Sequence, residues 1–230
     1  MTPTFIQAVP WIPERTKRAV GLMRETNGLI VWDREFSSFE TYLDLLRAVG
    51  YGPAIMLEDD VDLVPNWREQ VEEEIAKHPD DVIQMFTIRM NTPPQTGWSN
   101  GSTFWSHCCW YMPPGFAKAL LDYADTYRAG PKQSAKPLTD GLTNQFMREK
   151  RIRYWHRVPS LVQHLPFVST IQKGGVDTRE AFIGDEKCAG PLVDIPHIVH
   201  QIWVGSEPPP MVREAWSRWD HLADAGWGWG

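Results

Sequence analysis

Residues 54–67 read AIMLEDDVDLVPNW, and no other stretch restricts the chain's folding options as much. Ala54, Ile55, Met56 and Leu57 form the uninterrupted apolar run of a strand buried on both faces. The run then breaks into Glu58, Asp59 and Asp60, and Asp62 follows. Adjacent carboxylates repel one another and lose hydration when buried, so this position demands a compensating partner. Hard oxygen donors suit magnesium or manganese, which makes a divalent cation the economical compensator. Acidic residues at the carboxyl end of a buried strand also stand where an α/β sheet places its ligands. The bland alternative is a solvated acidic turn, as most charge runs are. Just beyond, Pro65 and Asn66 are expected to open a helix, with Asn66 as its cap and Glu69 completing a capping box.

On either side of this stretch the pattern alternates. A strand is expected over residues 4–9, a helix over 14–23, a strand over 29–32 and a helix over 39–49. Strand, helix, strand, helix, strand implies a parallel, doubly wound sheet with helices on its faces. Further on, the expected elements are a helix to about residue 77 and strands over 82–88 and 103–112. Helices over 116–127 and 139–150 follow, then a strand over 153–162 that Pro159 interrupts. Residues 91–102 are expected to form a Pro-, Gly-, Asn- and Thr-rich loop, of a length that is usually functional or disordered. Residues 174–190 lack periodicity and read as a linker. A fresh strand pattern, DIPHIVHQIWVG, then precedes a short Trp-rich helical piece.

Composition narrows the partners. A net charge of -6 disfavours a general polyanion-binding surface. No apolar run approaches the length of a membrane span, and the first residues lack the pattern of a secretory leader. Three cysteines, Cys108 and Cys109 adjacent, make neither a disulfide framework nor a zinc site, which points to idle thiols in a reducing cytoplasm. Twelve tryptophans raise the prospect of sugar platforms at Trp98, Trp105, Trp110 and Trp155, although most tryptophans are simply core. Arg15, Lys17 and Arg18 near a helix start oppose the macrodipole, as they would if an anion sat there.

Five segments, in this order, resemble a GT-A-fold glycosyltransferase: the first strand with its basic helix, MLEDDVDLVPNW, TGWSNGSTFWSHCCWYMPP, TDGLTNQFM and VPSLVQHLPFVST. The acidic motif is similar to the LEDD of lipopolysaccharide-type transferases rather than a strict Asp-x-Asp. The resemblance covers about residues 4 to 170 and implies an α/β fold of GT-A type, a Rossmann-like mixed sheet flanked by helices. The tail phrase IPHIVHQIWVGSEPPP resembles the first strand of a mannosyltransferase-like family opening with I-H-Q-I-W. The implied division is a transferase domain over residues 1–188, then a linker and the truncated start of a second transferase-like domain over 189–230.

The resemblance implies transfer of a sugar from a UDP- or GDP-sugar to a hydroxyl of a glycan or protein, with inversion, aided by manganese or magnesium. Asp60 and His164 are the expected metal ligands. Glu58, Asp59, Arg15 and Arg18 are the expected donor-binding residues, and Asp140 the general base. Strand alternation sends Asp59 and Asp60 to opposite faces, and the sequence does not phase them. Asp140 at a helix start is also an ordinary cap, and a lone histidine is more often packed than ligating. Three other classes stay in view: a non-catalytic sugar- or nucleotide-binding module, a nucleotidyltransferase, and a phage-type transferase acting on DNA bases. The turn VPWIPERTKR has no glycine, which disfavours the second, and the net charge disfavours the third.

Overall fold

In the computed structural model, the described residues are 1–87, 95–129, 138–167 and two short strand segments at 198–199 and 228–229. The chain divides into two compact units, Met1–Lys187 and Cys188–Gly230. The first holds strands β1 (Thr4–Ala8), β2 (Leu29–Trp32), β3 (Ala54–Glu58), β4 (Val61–Leu63), β5 (Val82–Gln84), β6 (Gly97–Asn100), β7 (Cys109–Met112), β8 (Arg153–His156) and β9 (Val162–His164). Its helices are α1 (Pro13–Thr26), α2 (Ser38–Val49), α3 (Trp67–Lys77), α4 (Phe116–Arg128) and α5 (Thr139–Glu149). In the second unit, β10 (Ile198–Val199) runs parallel to β11 (Gly228–Trp229). The rest of the expected tail strand, its helical piece, the linker 174–190 and part of the 91–102 loop lie outside the described residues.

Seven strands form one mixed sheet in the order β2-β1-β3-β7-β5-β8-β6. The α/β mixed sheet flanked by helices is therefore what forms, rather than the all-parallel sheet that the first five elements imply. Strands β1, β2 and β3 are parallel neighbours, but β7 runs antiparallel to both β3 and β5. Parallel neighbours need a crossover, usually helical. Among the described residues between β5 and β7 there are β6 and a 3-10 turn, Gly101–Thr103, but no crossover α-helix, and β7 enters the sheet in the reverse sense.

Alternation along the strands builds two cores. Ala54 and Met56 of β3 join Trp110 and Met112 of β7 beneath Tyr42 and Leu46 of α2, Leu120 of α4 and Phe146 of α5. Ile55 and Leu57 join Cys109 and Tyr111 beneath Leu22 of α1 and Val71 and Ile75 of α3. Helix α2 shows why these segments are helical. Ser37 caps it by accepting the Glu40 amide at 3.3 Å, and Gly50 at φ 64 ends it. Asn66 differs from expectation. It adopts the left-handed region, φ 54, and makes no capping bond, because side-chain capping needs an extended residue there. The strand expected over 153–162 divides at Pro159, which has no amide for a ladder. β8 stays in the large sheet, whereas β9 pairs with β4 in a separate two-stranded ribbon. Among the described residues no helix is long and apolar enough to cross a membrane.

Candidate active site

The two-core arrangement phases the acidic triplet. Glu58 follows Met56 onto the α2–α4–α5 face, and Asp59 follows Leu57 onto the face of α1 and α3. Asp59 is wholly buried. Its Oδ2 accepts the Val9 amide at 2.9 Å, and its Oδ1 accepts Arg15 Nε at 2.8 Å and Arg15 Nη2. Burial pushes the Asp59 carboxyl up to about 7, while the Arg15 charge and hydrogen bonds pull the other way. Burial likewise opposes charge on Arg15, but the carboxylates of Asp60, Asp59 and Glu58 override it and hold the guanidinium above its ordinary pKa.

Asp60 sits in the turn between β3 and β4, nearly buried. Its Oδ2 lies 3.0 Å from Arg15 Nη2 and 3.5 Å from His164 Nε2. The β4–β9 ribbon causes this approach: Val61 is paired with His164, and the Leu165 amide donates to the Asp60 carbonyl at 2.7 Å. Arg18 turns elsewhere. Its Nε donates to the Val61 carbonyl at 2.7 Å and lies 3.2 Å from the exposed Asp62, and its Nη1 reaches Glu25 at 2.8 Å. Glu58 is half-buried and its Oε2 accepts from the Cys108 thiol at 3.2 Å. Cys108 and Cys109 are both free and buried, and burial pushes the Cys109 thiol up to about 12.

Asp140 lies in the first turn of α5, half-buried. The cap position belongs to Leu138, with no side-chain cap bond, and Asp140 Oδ1 accepts the next amide, Gly141 N, at 2.8 Å. One turn on, the Thr143 hydroxyl is 2.9 Å from Tyr42 Oη. Burial first, then the charge of Asp140, keep Tyr42 protonated well above the ordinary tyrosine range, against the Thr143 hydrogen bond. The Tyr42 ring packs on His107 at 4.8 Å, and His107 adjoins Cys108. Direct contacts thus gather Arg15, Asp59, Asp60 and His164. Glu58 meets Cys108, Asp140 stands apart from this group one turn before the Thr143 that meets Tyr42, and Arg18 braces α1 against β4.

The donor set bears on a metal. Among the described residues, no group of three or more His, Cys, Asp or Glu side chains is placed to hold one. Magnesium, however, is commonly held by one or two carboxylates plus substrate phosphates. Asp60 supplies one such carboxylate, with the His164 imidazole beside it, and one guanidinium against the carboxylates of Asp59 and Asp60 leaves the cluster short of positive charge.

Sequence reasoning passed over an aromatic pair at the same end of the sheet. Trp11, after β1, stacks on Phe36, after β2, with centroids 4.3 Å apart and planes at 25°. Phe36 is 79% exposed and left-handed, φ 55. Asp33 holds its turn by accepting the Glu35 and Ser37 amides, both at 3.0 Å. An Asp two and four residues ahead of those amides is the legible signal of such a turn.

No protein-family model and no curated protein matches the sequence. The chain is similar to the crystal structure of A197 from STIV, with TM-score 0.42 and 14% identity over 74% of this chain and 87% of that one. It is also similar to a glycosyltransferase involved in the glycosylation of the major capsid of PBCV-1, with TM-score 0.49 and 8% identity over 72% of this chain and 96% of that one.

Proposed function

We propose that this chain is a glycosyltransferase that moves a sugar from a nucleoside-diphosphate donor to a hydroxyl acceptor, with inversion. The observation that carries the reading is the convergence of Asp60 Oδ2 and His164 Nε2 at 3.5 Å, beside the locked Arg15–Asp59 pair. A manganese or magnesium ion held by Asp60, His164 and the donor phosphates would supply positive charge to the leaving diphosphate.

The chain's own residues take distinct parts. Asp59 has both oxygens engaged, so it fixes Arg15 and the end of β1. Glu58, positioned by the Cys108 thiol, would meet the donor's sugar hydroxyls. The Trp11–Phe36 pair offers a flat surface to the base. Asp140 takes the proton from the acceptor hydroxyl as that oxygen attacks the anomeric carbon and the nucleoside diphosphate departs.

Thermal shift with UDP-, GDP- and TDP-sugars, with and without manganese, tests this. One donor should stabilise the protein only when metal is present, and Asp60→Ala should abolish that stabilisation with the fold intact. Stabilisation that survives excess chelator, or is unchanged in Asp60→Ala, would overturn the assignment of Asp60.

A further inference from the structure

Resting on the reading of the acidic cluster as a donor site, we infer that Trp105 is a stacking platform for a pyranose ring, which assigns the acceptor to the carbohydrate class. Residues 104–108 lead into β7. Because β7 runs antiparallel to β3 with Cys109 opposite Leu57, they stand at the carboxyl end of the parallel strands. They touch Glu58 twice: its amide donates to the Cys108 carbonyl at 3.2 Å, and its carboxylate accepts the Cys108 thiol.

This segment is held to an unusual degree. Gln84, buried at the end of β5, places its amide nitrogen 2.6 Å from the Trp105 carbonyl and 3.3 Å from that of Ser106. Asn144 of α5 lies 3.2 Å from the Phe104 carbonyl. Ser106 is left-handed, φ 73, with its hydroxyl 3.1 Å from Cys108 Sγ. A non-glycine residue in that region costs energy and persists where its surroundings over-determine it, which happens most often at functional sites. Phe104, Ser106, His107 and Cys108 are all buried, yet Trp105 between them is 40% exposed. A clamped and strained backbone thus holds one large apolar ring in water.

The other tryptophans at issue are committed elsewhere. Trp110 is core. Trp155 donates to Glu74 at 3.1 Å and packs against His78 and Trp98. Trp98 is exposed, but it lies on the outermost strand, and the Arg153 guanidinium covers its ring at 4.7 Å. An indole face matches the C–H face of a pyranose, whereas the hydroxyl of a serine or threonine side chain brings no such face. A nucleic-acid acceptor would bring a long run of phosphates to a chain of net charge -6.

The test compares wild type, Trp105→Ala, Trp105→Phe and Trp98→Ala, using the donor panel and an array of mono- and oligosaccharides. Metal-dependent donor stabilisation should be equal in all four. Glycan affinity should fall about tenfold or more in Trp105→Ala, return largely in Trp105→Phe and stay unchanged in Trp98→Ala. If wild type binds donor but no glycan, or if Trp105→Ala binds glycans as wild type does, the platform is overturned. If wild type binds no donor, the donor-site reading falls, and the platform with it.

Discussion

At the scale of single residues, Asp59 shows what a buried charge requires. Its carboxylate faces Arg15 with almost no water, so removing its charge breaks a buried ion pair and leaves the guanidinium leaning on Asp60. Asp59→Asn should cost about 3–5 kcal/mol in urea unfolding, whereas exposed Asp62→Asn should stay within about 0.5 kcal/mol. His156 adds a pH dependence. It is buried between the Ser99 hydroxyl at 3.1 Å and the Gln95 carbonyl at 2.6 Å, and burial lowers its pKa despite the carbonyl. The unfolded chain then binds the proton more readily, so stability present above the ordinary histidine pKa is lost as pH falls through the folded value. The melting temperature should drop less between pH 7.5 and 5.5 in His156→Gln than in wild type. The sequence showed the need for a partner to the triplet but not Arg15 as that partner. The contact joins residues far apart in the chain, and no local periodicity encodes it. Nor could alternation phase Asp59 until the neighbouring apolar residues were assigned to their two cores.

At the scale of elements, helices were legible because their apolar spacing and end signals are local. The expected helix over 139–150 is α5, and the expected 116–127 is α4 within a residue. The direction of β7 was not legible, because strand sense depends on the route of the connection rather than on the strand's own residues. α5 also decides how Asp140 can be tested. Leu138 holds the cap position, so Asp140→Asn should leave the helix and donor affinity intact. Transfer should fall by about 10²-fold or more, the scale of general-base catalysis. Parent-rate transfer by the Asn variant, or a product with retained anomeric configuration, would remove Asp140 from the mechanism.

For the whole molecule, all seven strands of the large sheet and both apolar clusters lie within residues 1–187. A chain ending at Lys187 should therefore unfold in one cooperative transition and bind donor as the full chain does. A broadened, low-temperature melt of the shortened chain would mean that residues 188–230 complete the first unit. The β4–β9 ribbon sets a different kind of limit, one of time. It closes a loop of about a hundred residues to bring His164 to Asp60, and long loops are closed late because their entropy must be paid before their contacts form. A chain emerging from the ribosome can build β1, β2 and β3 and bury Asp59 long before it owns the histidine that meets Asp60. Its acidic turn then waits for β9, and a nascent chain stalled before residue 164 should be folded in part yet show no metal-dependent stabilisation by a nucleotide-sugar.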